Sequence, residues 1–286
     1  MYICTYVIEF LGKEIELMNN ALSYILFAVI IFILFKFVSP IAGLIVLVLV
    51  IAYAIYMYIP TYWASKGNQC FNSGDFKEAV ENYKKCMQHR PKVNHRINYA
   101  YMLMRTGDFD EAEKVLDFIL RFKSVKPNLK NEARRNRCMV YYKQGRLDEA
   151  IEDAKLMFDE GYKTSQLYAL LGYFMILDNP NSQETYNFCK EAYEYDADGR
   201  DIMDNMVIVM YNKGEYAEAK EIADKSVREF PHSVEACFHS AQVEIKLGNY
   251  DNAKKRLEQL NECHWSDMTT VSKDDIESLK SEINNK

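Results

Sequence analysis

The sequence lacks the closely spaced cysteine and histidine ligands from which structural zinc sites are built. Its seven cysteines are spread from Cys4 to Cys263, and no two of them form a CxxC pair. Structural zinc requires four converging ligands, usually supplied in close pairs, whereas Cys263 and His264 give only two neighbours. We therefore expect no metal site. The scattered thiols instead favour reduced, mostly buried cysteines in a cytosolic compartment.

A strong excess of positive charge is also missing. The chain has 35 Lys and Arg residues against 41 Asp and Glu, which gives a net charge of -6. General nucleic-acid binders usually show a basic footprint, so we expect no nucleic-acid partner. The phosphate-binding and catalytic patterns GxGxxG, HExxH, GxSxG and GxxxxGK followed by Ser or Thr are absent too. These absences predict a protein that is not an enzyme, with no catalytic residues and no cofactor.

Two long apolar runs are present, and both lie near the N-terminus. The first runs from Ala21 to Val38 with Lys36 as its only charge, and the second runs from Ile41 to Ile59 without any charge. About 20 apolar residues span a bilayer, and Ser39-Pro40 between the runs disfavours a continuous helix. Residues 18–59 are therefore predicted to form a two-span transmembrane hairpin. The alternative is one span with a re-entrant segment.

Both ends of such a hairpin lie on the same side of the membrane. Lys66 and Lys77 follow the second run, whereas the turn offers only Lys36. The positive-inside rule then favours a cytoplasmic location for the rest of the chain.

The first 17 residues raise a separate hypothesis about the translation start. Lys13-Glu14 can be encoded as a ribosome-binding sequence at a suitable distance before Met18. Met18 is then the native start and residues 1–17 are a translated leader, with chance occurrence of the dipeptide as the alternative.

A short glycine-led sequence recurs through the remainder of the chain. The copies read GDFKEAV, GDFDEAE, GRLDEAI, GEYAEAK and GNYDNAK, and they begin at residues 74, 107, 145, 214 and 248. The long gap between the third and fourth copies fits two units, with a degenerate copy around Asn179. Self-similarity at this period is typical of a solenoid of helix pairs.

The first copy and its surroundings resemble the tetratricopeptide repeat. The residues that carry the resemblance are Trp63, Gly67, Gly74, Phe76, Ala79, Tyr83 and Pro91, and the small position of Ala79 recurs as Ala112, Ala150, Ala219 and Ala253. The resemblance implies an all-α solenoid of about six repeats over residues 60–265. Pro60 is expected at the first position of the first repeat helix, so that the array leaves the membrane at a fixed angle.

Simple physical chemistry explains the recurring residues. Each glycine ends a first helix because the turn needs a left-handed φ, and each alanine lets two helices approach closely. The open end of a helix stack needs a cover. Residues 266–286 offer one, because Ser272 and Asp275 form a capping-box pattern and three apolar residues share one helical face: Ile276, Leu279 and Ile283.

The first helices of such repeats line a concave groove, which the resemblance implies is the partner-binding surface. Aromatic, Met and Asn side chains there suit an extended peptide or a helix. The expected groove residues are Asn68, Phe71, Asn98, Tyr101, Met104, Arg105, Met139, Tyr142, Tyr173, Ile176, Tyr211 and Phe238. Some relatives bind a C-terminal carboxylate with a cationic clamp. The corresponding positions here are Ala64, Asn68, Asn98, Glu132 and Asn136, so that mode is not expected.

A basic segment coincides with an extended connection between the second and third units. It consists of Arg121, Lys123, Lys126, Lys130, Arg134, Arg135 and Arg137. Such a patch suits anionic lipid headgroups or an acidic partner, and a solvated helix face is the alternative. The whole pattern predicts a membrane-anchored scaffold that recruits a protein or peptide. The alternative is a structural subunit of a membrane assembly, with the hairpin as the assembly surface.

Overall fold

The structure is a computed structural model, and it describes residues 25, 28, 29, 32, 33, 35, 36 and 39–284. The predicted leader and most of the first apolar run lie outside the described residues. The chain divides into two compact units, Met1–Tyr62 and Trp63–Lys286.

The N-terminal unit contains most of the first described helix, α1, Pro40–Asn72. The helix begins where the sequence predicts a break. The Ser39 carbonyl accepts a hydrogen bond from the Gly43 N–H at 3.1 Å, and the Ser39 hydroxyl accepts one from the Ile41 N–H at 3.3 Å. Proline suits this first position because its missing N–H would have no helical partner there.

The apolar part of α1 has little cover from the rest of the chain. Its most apolar window has a mean hydropathy of 2.5 and is only 6% buried. Among the described residues, α1 is the helix that is long and apolar enough to cross a membrane. The hairpin with a second crossing stays a prediction.

Pro60 lies inside α1, so its predicted position at the start of a repeat helix is wrong. An internal proline removes one backbone hydrogen bond, but its φ near -65° is compatible with helical backbone. The helix continues past Pro60 to Asn72.

The second unit contains helix pairs in which an A helix is followed by a B helix. Within the described residues there are six pairs, and the last ten residues of α1, 63–72, form the first A helix. The later A helices are α3 Val93–Arg105, α5 Pro127–Lys143, α7 Ser165–Asp178, α9 Arg200–Lys213 and α11 Val234–Lys246. The B helices are α2 Phe76–Met87, α4 Phe109–Leu120, α6 Leu147–Asp159, α8 Gln183–Tyr195, α10 Tyr216–Glu229 and α12 Tyr250–Gln259. A 3₁₀ turn at Leu260–Glu262 and a last helix, α13 Lys273–Asn284, follow.

The turns between paired helices use the recurring glycines as predicted. Their φ angles lie between 78° and 82°, at Gly74, Gly107, Gly145, Gly214 and Gly248. The fourth pair has no such glycine and turns at Asn179 instead. There the Thr185 hydroxyl donates a 3.0 Å hydrogen bond to the Asn179 carbonyl, which joins the start of α8 to the end of α7.

Small residues bring the paired helices together. The five recurring alanines are completely buried: Ala79, Ala112, Ala150, Ala219 and Ala253. In the first pair, a Cβ on Gly67 would lie 2.5 Å from the Tyr83 ring. Contacts this close require a residue without a side chain, so Gly67 is fixed by packing.

The last helix covers the end of the stack. The predicted capping box is present, since the Ser272 N–H donates to Asp275 at 2.8 Å and the Asp275 N–H donates to the Ser272 hydroxyl at 3.1 Å. Ile276, Leu279 and Ile283 are buried in the same apolar core as α11 and α12.

Candidate functional site

Most of the predicted groove residues lie on A helices and are at least partly exposed, and the surface that the A helices present is here called the A-helix face. At least partly exposed on it are Asn68, Phe71, Asn98, Tyr101, Arg105, Met139, Tyr142, Tyr173 and Tyr211. Met104, Ile176 and Phe238 are instead only 1%, 6% and 5% exposed, so their assignment to the groove surface is wrong. Each packs in an apolar core because it fills space between neighbouring helices.

The first stretch of this face consists of Asn68, Phe71 and Asn98. Its two asparagines are linked by the hydroxyl of Tyr83. The Tyr83 hydroxyl donates to the Asn68 Oδ1 at 2.7 Å and accepts from the Asn98 Nδ2 at 3.1 Å. Burial raises the pKa of Tyr83, so its hydroxyl stays protonated. The two asparagines, one from the first repeat and one from the second, are thereby held by the B helix α2 that lies between them in the chain.

Aromatic and cationic side chains surround these asparagines. The Phe71 ring meets the Tyr101 ring edge-on, with centroids 5.9 Å apart, and the Arg105 guanidinium lies 4.5 Å from the Phe76 ring centroid. The clamp positions Ala64 and Asn136 are 4% and 8% exposed. The first stretch therefore offers aromatic contact area and amides, with no cationic carboxylate clamp.

A second stretch, here called the covered stretch, consists of Lys143, Tyr173 and Glu235. The Tyr142 and Tyr173 hydroxyls are 3.1 Å apart, and their rings pack edge-to-face with centroids 5.6 Å apart. Burial raises the pKa of Tyr173. Burial also lowers the pKa of Lys143, although the nearby Glu235 and Asp267 carboxylates oppose that effect.

The segment at residues 263–272, here called the connector, joins the last repeat to α13. It is not helical, and a compact turn fixes its shape. The Ser266 carbonyl accepts from the Thr269 N–H at 3.0 Å, while the Met268 N–H donates to the Ser266 hydroxyl at 3.2 Å. The Ser266 N–H in turn donates to the Thr269 hydroxyl at 3.2 Å.

The connector lies on the covered stretch. Lys143 Nζ donates to the Thr269 carbonyl at 2.8 Å. The Thr270 N–H and hydroxyl donate to Glu235 Oε1 at 3.0 and 3.3 Å. Lys143 and Glu235 therefore recognise the backbone of a non-helical segment of the same chain.

The connector also reaches the earlier repeats. The Met268 side chain packs against the apolar core that contains α3 residues. The Asp267 carboxylate carbon lies 3.3 Å from where a Cβ on Gly107 would be. The connector therefore contacts the second, third and sixth pairs.

A buried ion pair lies beside the covered stretch. His239 Nδ1 and Asp204 Oδ1 are 2.6 Å apart, and both side chains are mostly buried. Burial raises the pKa of Asp204; burial disfavours the His239 imidazolium, yet the Asp204 carboxylate raises the pKa of His239 overall. A small cavity of about 190 Å³ adjoins the pair, lined by Val207, Ile208, Tyr211, Asn212, His239 and Gln242.

The predicted basic patch is partly wrong. Arg134 pairs with Asp153 at 2.7 Å and with Glu160 at 2.6 Å, while Arg137 pairs with Asp117 at 3.0 Å and Asp153 at 2.9 Å. Burial raises the pKa of Asp153, but hydrogen bonds from Arg137 and Arg134 hold it below its ordinary value. These two arginines therefore join α5 to its neighbouring B helices.

The remaining basic side chains divide into two groups. Within the described chain, Arg121, Lys123, Lys126 and Lys130 form no ion pair, and the first three are exposed. Arg135 lies 3.5 Å from the Asn136 side-chain oxygen. The exposed cations thus lie in the connection before α5 rather than along the helix.

The described part of the chain holds no group of three or more His, Cys, Asp or Glu residues that could bind a metal ion. The Cys237 and Cys263 sulfur atoms lie 3.9 Å apart in the last repeat.

Sequence models of the tetratricopeptide repeat match residues 60–92, 100–157 and 210–264. The described residues contain helices and no strand. The chain therefore carries tetratricopeptide repeats and folds as an all-α solenoid of this type.

Solved structures with this fold include a tetratricopeptide repeat protein from Parabacteroides merdae ATCC 43184. It shares 16% identity over 79% of this chain and 86% of its own, with a TM-score of 0.53. A thermophilic repeat protein from Thermus thermophilus shares 14% identity over 68% of this chain and 100% of its own, with a TM-score of 0.54. PilF of Pseudomonas aeruginosa shares 14% identity over 79% and 99%, with a TM-score of 0.54. These identities show a common fold alone. None of the curated proteins compared with this chain matches it.

Proposed function

We propose that this chain is a membrane-anchored scaffold that binds a protein or peptide partner on the A-helix face, with no catalytic role of its own. One observation carries the proposal: a non-helical segment already lies on this face, held through its backbone by Lys143 and Glu235. A surface with this chemistry suits a second polypeptide. The half-exposed tyrosines add the large, rigid contact area that is typical of interaction hot spots.

The test is crosslinking in native membranes, followed by purification of the full chain and identification of the crosslinked protein. The test variant is Tyr101→Ala with Tyr211→Ala, and the control is Tyr195→Ala, because Tyr195 is exposed on B helix α8. We expect one protein to crosslink to wild type and to the control, and the double variant to lose most of it while keeping wild-type circular dichroism. Equal crosslinking by all three folded chains would contradict the proposal.

The anchoring part of the proposal is supported by the uncovered apolar side chains of α1. Ile41 and Leu49 are 72% and 63% exposed, and a bilayer would remove this surface from water. We expect the chain to remain in membranes after an alkaline wash. A Val48→Asp, Leu49→Asp variant should be released into the supernatant, whereas retention of both would mean that α1 is not the anchor.

The cytoplasmic location of the repeats remains part of the proposal. Lys66 and Lys77 support it under the positive-inside rule. Protease added to sealed right-side-out vesicles should leave the repeats intact, and inverted vesicles should expose them. The opposite pattern would reverse the topology.

The same exposed apolar surface favours a second function, that of a structural subunit of a membrane assembly. Other transmembrane helices could cover α1 in place of lipid. Replacing residues 41–59 with an unrelated apolar sequence separates the two functions. A subunit should lose its complex, whereas a scaffold should stay anchored and still bind its partner through the A-helix face.

A further inference from the structure

The connector makes the kinds of contact that a bound peptide makes. One backbone carbonyl accepts from a lysine, one backbone N–H and one hydroxyl donate to a glutamate, and one unbranched apolar side chain packs against a core. The side chains that bind the connector, Lys143 and Glu235, have opposite charges and come from A helices far apart in sequence. This pairing orients one peptide unit on the face, since Lys143 binds the carbonyl and Glu235 the N–H of the Thr269–Thr270 peptide bond.

The flanks of the connector are anchored independently of these contacts. Cys263 is buried beside Cys237 on one side, and α13 is held on the other by its buried apolar face. Residues 266–270 between these anchors are only half-buried, and Asp267 is exposed. The middle of the connector can therefore leave the face while the fold and its terminal cover remain.

We propose that residues 266–270 occupy the surface of this chain to which the partner binds, and that the partner replaces them with a short non-helical peptide of the same chemistry. This inference rests on the proposed function. The replacing peptide offers a free backbone carbonyl to Lys143, an N–H and a Ser or Thr hydroxyl to Glu235, and an unbranched apolar side chain in place of Met268. A helical partner segment does not meet these requirements, because a helix uses most of its own carbonyls and N–H groups internally.

The test uses the full chain in detergent micelles and a labelled peptide with the sequence of residues 264–272 as the probe. In the vacated variant, Ser266, Asp267, Met268, Thr269 and Thr270 are all replaced by glycine. Glycine keeps the chain length and the backbone groups, but it removes the Met268 packing, the Thr270 hydroxyl bond and the hydroxyl bonds that shape the turn, and it makes the segment costlier to order. Fluorescence anisotropy should show binding to the vacated variant with a Kd below about 1 mM. Wild type should bind the peptide at least roughly tenfold more weakly, because its own connector competes at a high effective concentration.

A second pair of substitutions tests whether the peptide uses the same contacts. Adding Lys143→Met and Glu235→Gln to the vacated variant should weaken peptide binding about tenfold or more, the size expected for two charge-assisted hydrogen bonds. Lys155→Met with Glu152→Gln is the matched control, because both residues are exposed on α6, and it should leave binding unchanged. A peptide of the same composition in scrambled order should not bind.

Circular dichroism and a thermal melt establish whether the vacated variant folds. If it does not, Met268→Gly with Thr270→Gly replaces it in the same experiments. Equal peptide binding by the folded variant and wild type, or no effect of the Lys143 and Glu235 substitutions, would overturn the inference. Loss of partner crosslinking in the Tyr101, Tyr211 variant would then still support the proposed function, so the two failures are distinguishable.

Discussion

The first stretch of the A-helix face and the covered stretch satisfy their polar groups in different ways. In the first stretch, Asn68 and Asn98 bond to the hydroxyl of Tyr83, which belongs to a neighbouring B helix. In the covered stretch, Lys143 and Glu235 bond to a segment more than thirty residues away in sequence from either. The same repeat architecture therefore holds one part of a surface ready for contact and keeps another part occupied.

The largest expected effect comes from removing the side chain that organises the first stretch. Tyr83 is completely buried, so Tyr83→Ala should lower the free energy of unfolding by about 3–5 kcal/mol. Tyr83→Phe keeps the ring and should cost only about 1 kcal/mol for the lost hydroxyl contacts. Chemical denaturation of the full chain measures both. Equal losses for the two variants would mean that the hydroxyl, not the ring, dominates.

The buried ion pair beside the covered stretch should make stability depend on pH. Both His239 and Asp204 have raised pKa values, so the folded chain binds their protons more tightly than the unfolded chain does. The His239 contribution is present below its unfolded pKa of about 6.5 and is lost as the pH rises through its raised folded pKa. Asp201, Glu235 and Asp275 also act on this pair electrostatically.

The variant that tests this dependence is Asp204→Asn. It should cost about 1.5–3 kcal/mol at pH 6 and less at pH values above the raised folded pKa of His239, where wild type has lost the ion pair. Denaturation midpoints at several pH values provide the measurement. Asp251→Asn is the control, since Asp251 is exposed on α12. An unchanged pH profile in Asp204→Asn would show that the pair does not titrate as described.

Close packing of the first repeat gives an effect of similar or smaller size. Gly67→Ala would place a Cβ 2.5 Å from the Tyr83 ring, and overpacking of this kind costs about 1–3 kcal/mol. Ser65→Ala, at an exposed position of the same helix, should cost almost nothing. Thermal melting compares the two. A harmless Gly67→Ala would mean that the Tyr83 ring can move aside.

The smallest effect concerns the connector alone. Lys143→Met removes the hydrogen bond to the Thr269 carbonyl, which is worth about 1 kcal/mol. Amide hydrogen exchange across residues 266–271 should therefore become several times faster, while exchange in the first stretch stays constant. Uniform acceleration along the whole chain would indicate general destabilisation instead.

The sequence predicts those features that depend on local spacing. The five turn glycines, the buried alanines and the capping box at Ser272 all involve residues close together in the chain, and the structure contains each of them. The sequence does not predict the burial of Met104 and Phe238, because their repeat positions do not distinguish a groove side chain from one that packs between helices.

The sequence did not reveal the long-range contacts. Thr269 and Lys143 are 126 residues apart, and nothing local to either residue indicates that they meet. Arg134 and Arg137 belong to an obviously basic segment, yet their partner Asp153 lies on the next B helix. The order of charges along the chain does not predict that pairing, because it depends on how α5 packs against α6.

The position of the connector also matters during synthesis. All six helix pairs precede residues 266–270 in the chain, and translation proceeds slowly compared with helix formation. A nascent chain therefore presents Lys143 and Glu235 without their internal occupant until residues 266–270 leave the ribosome. Partner association at that stage would need no displacement, whereas the finished protein would have to release the connector first.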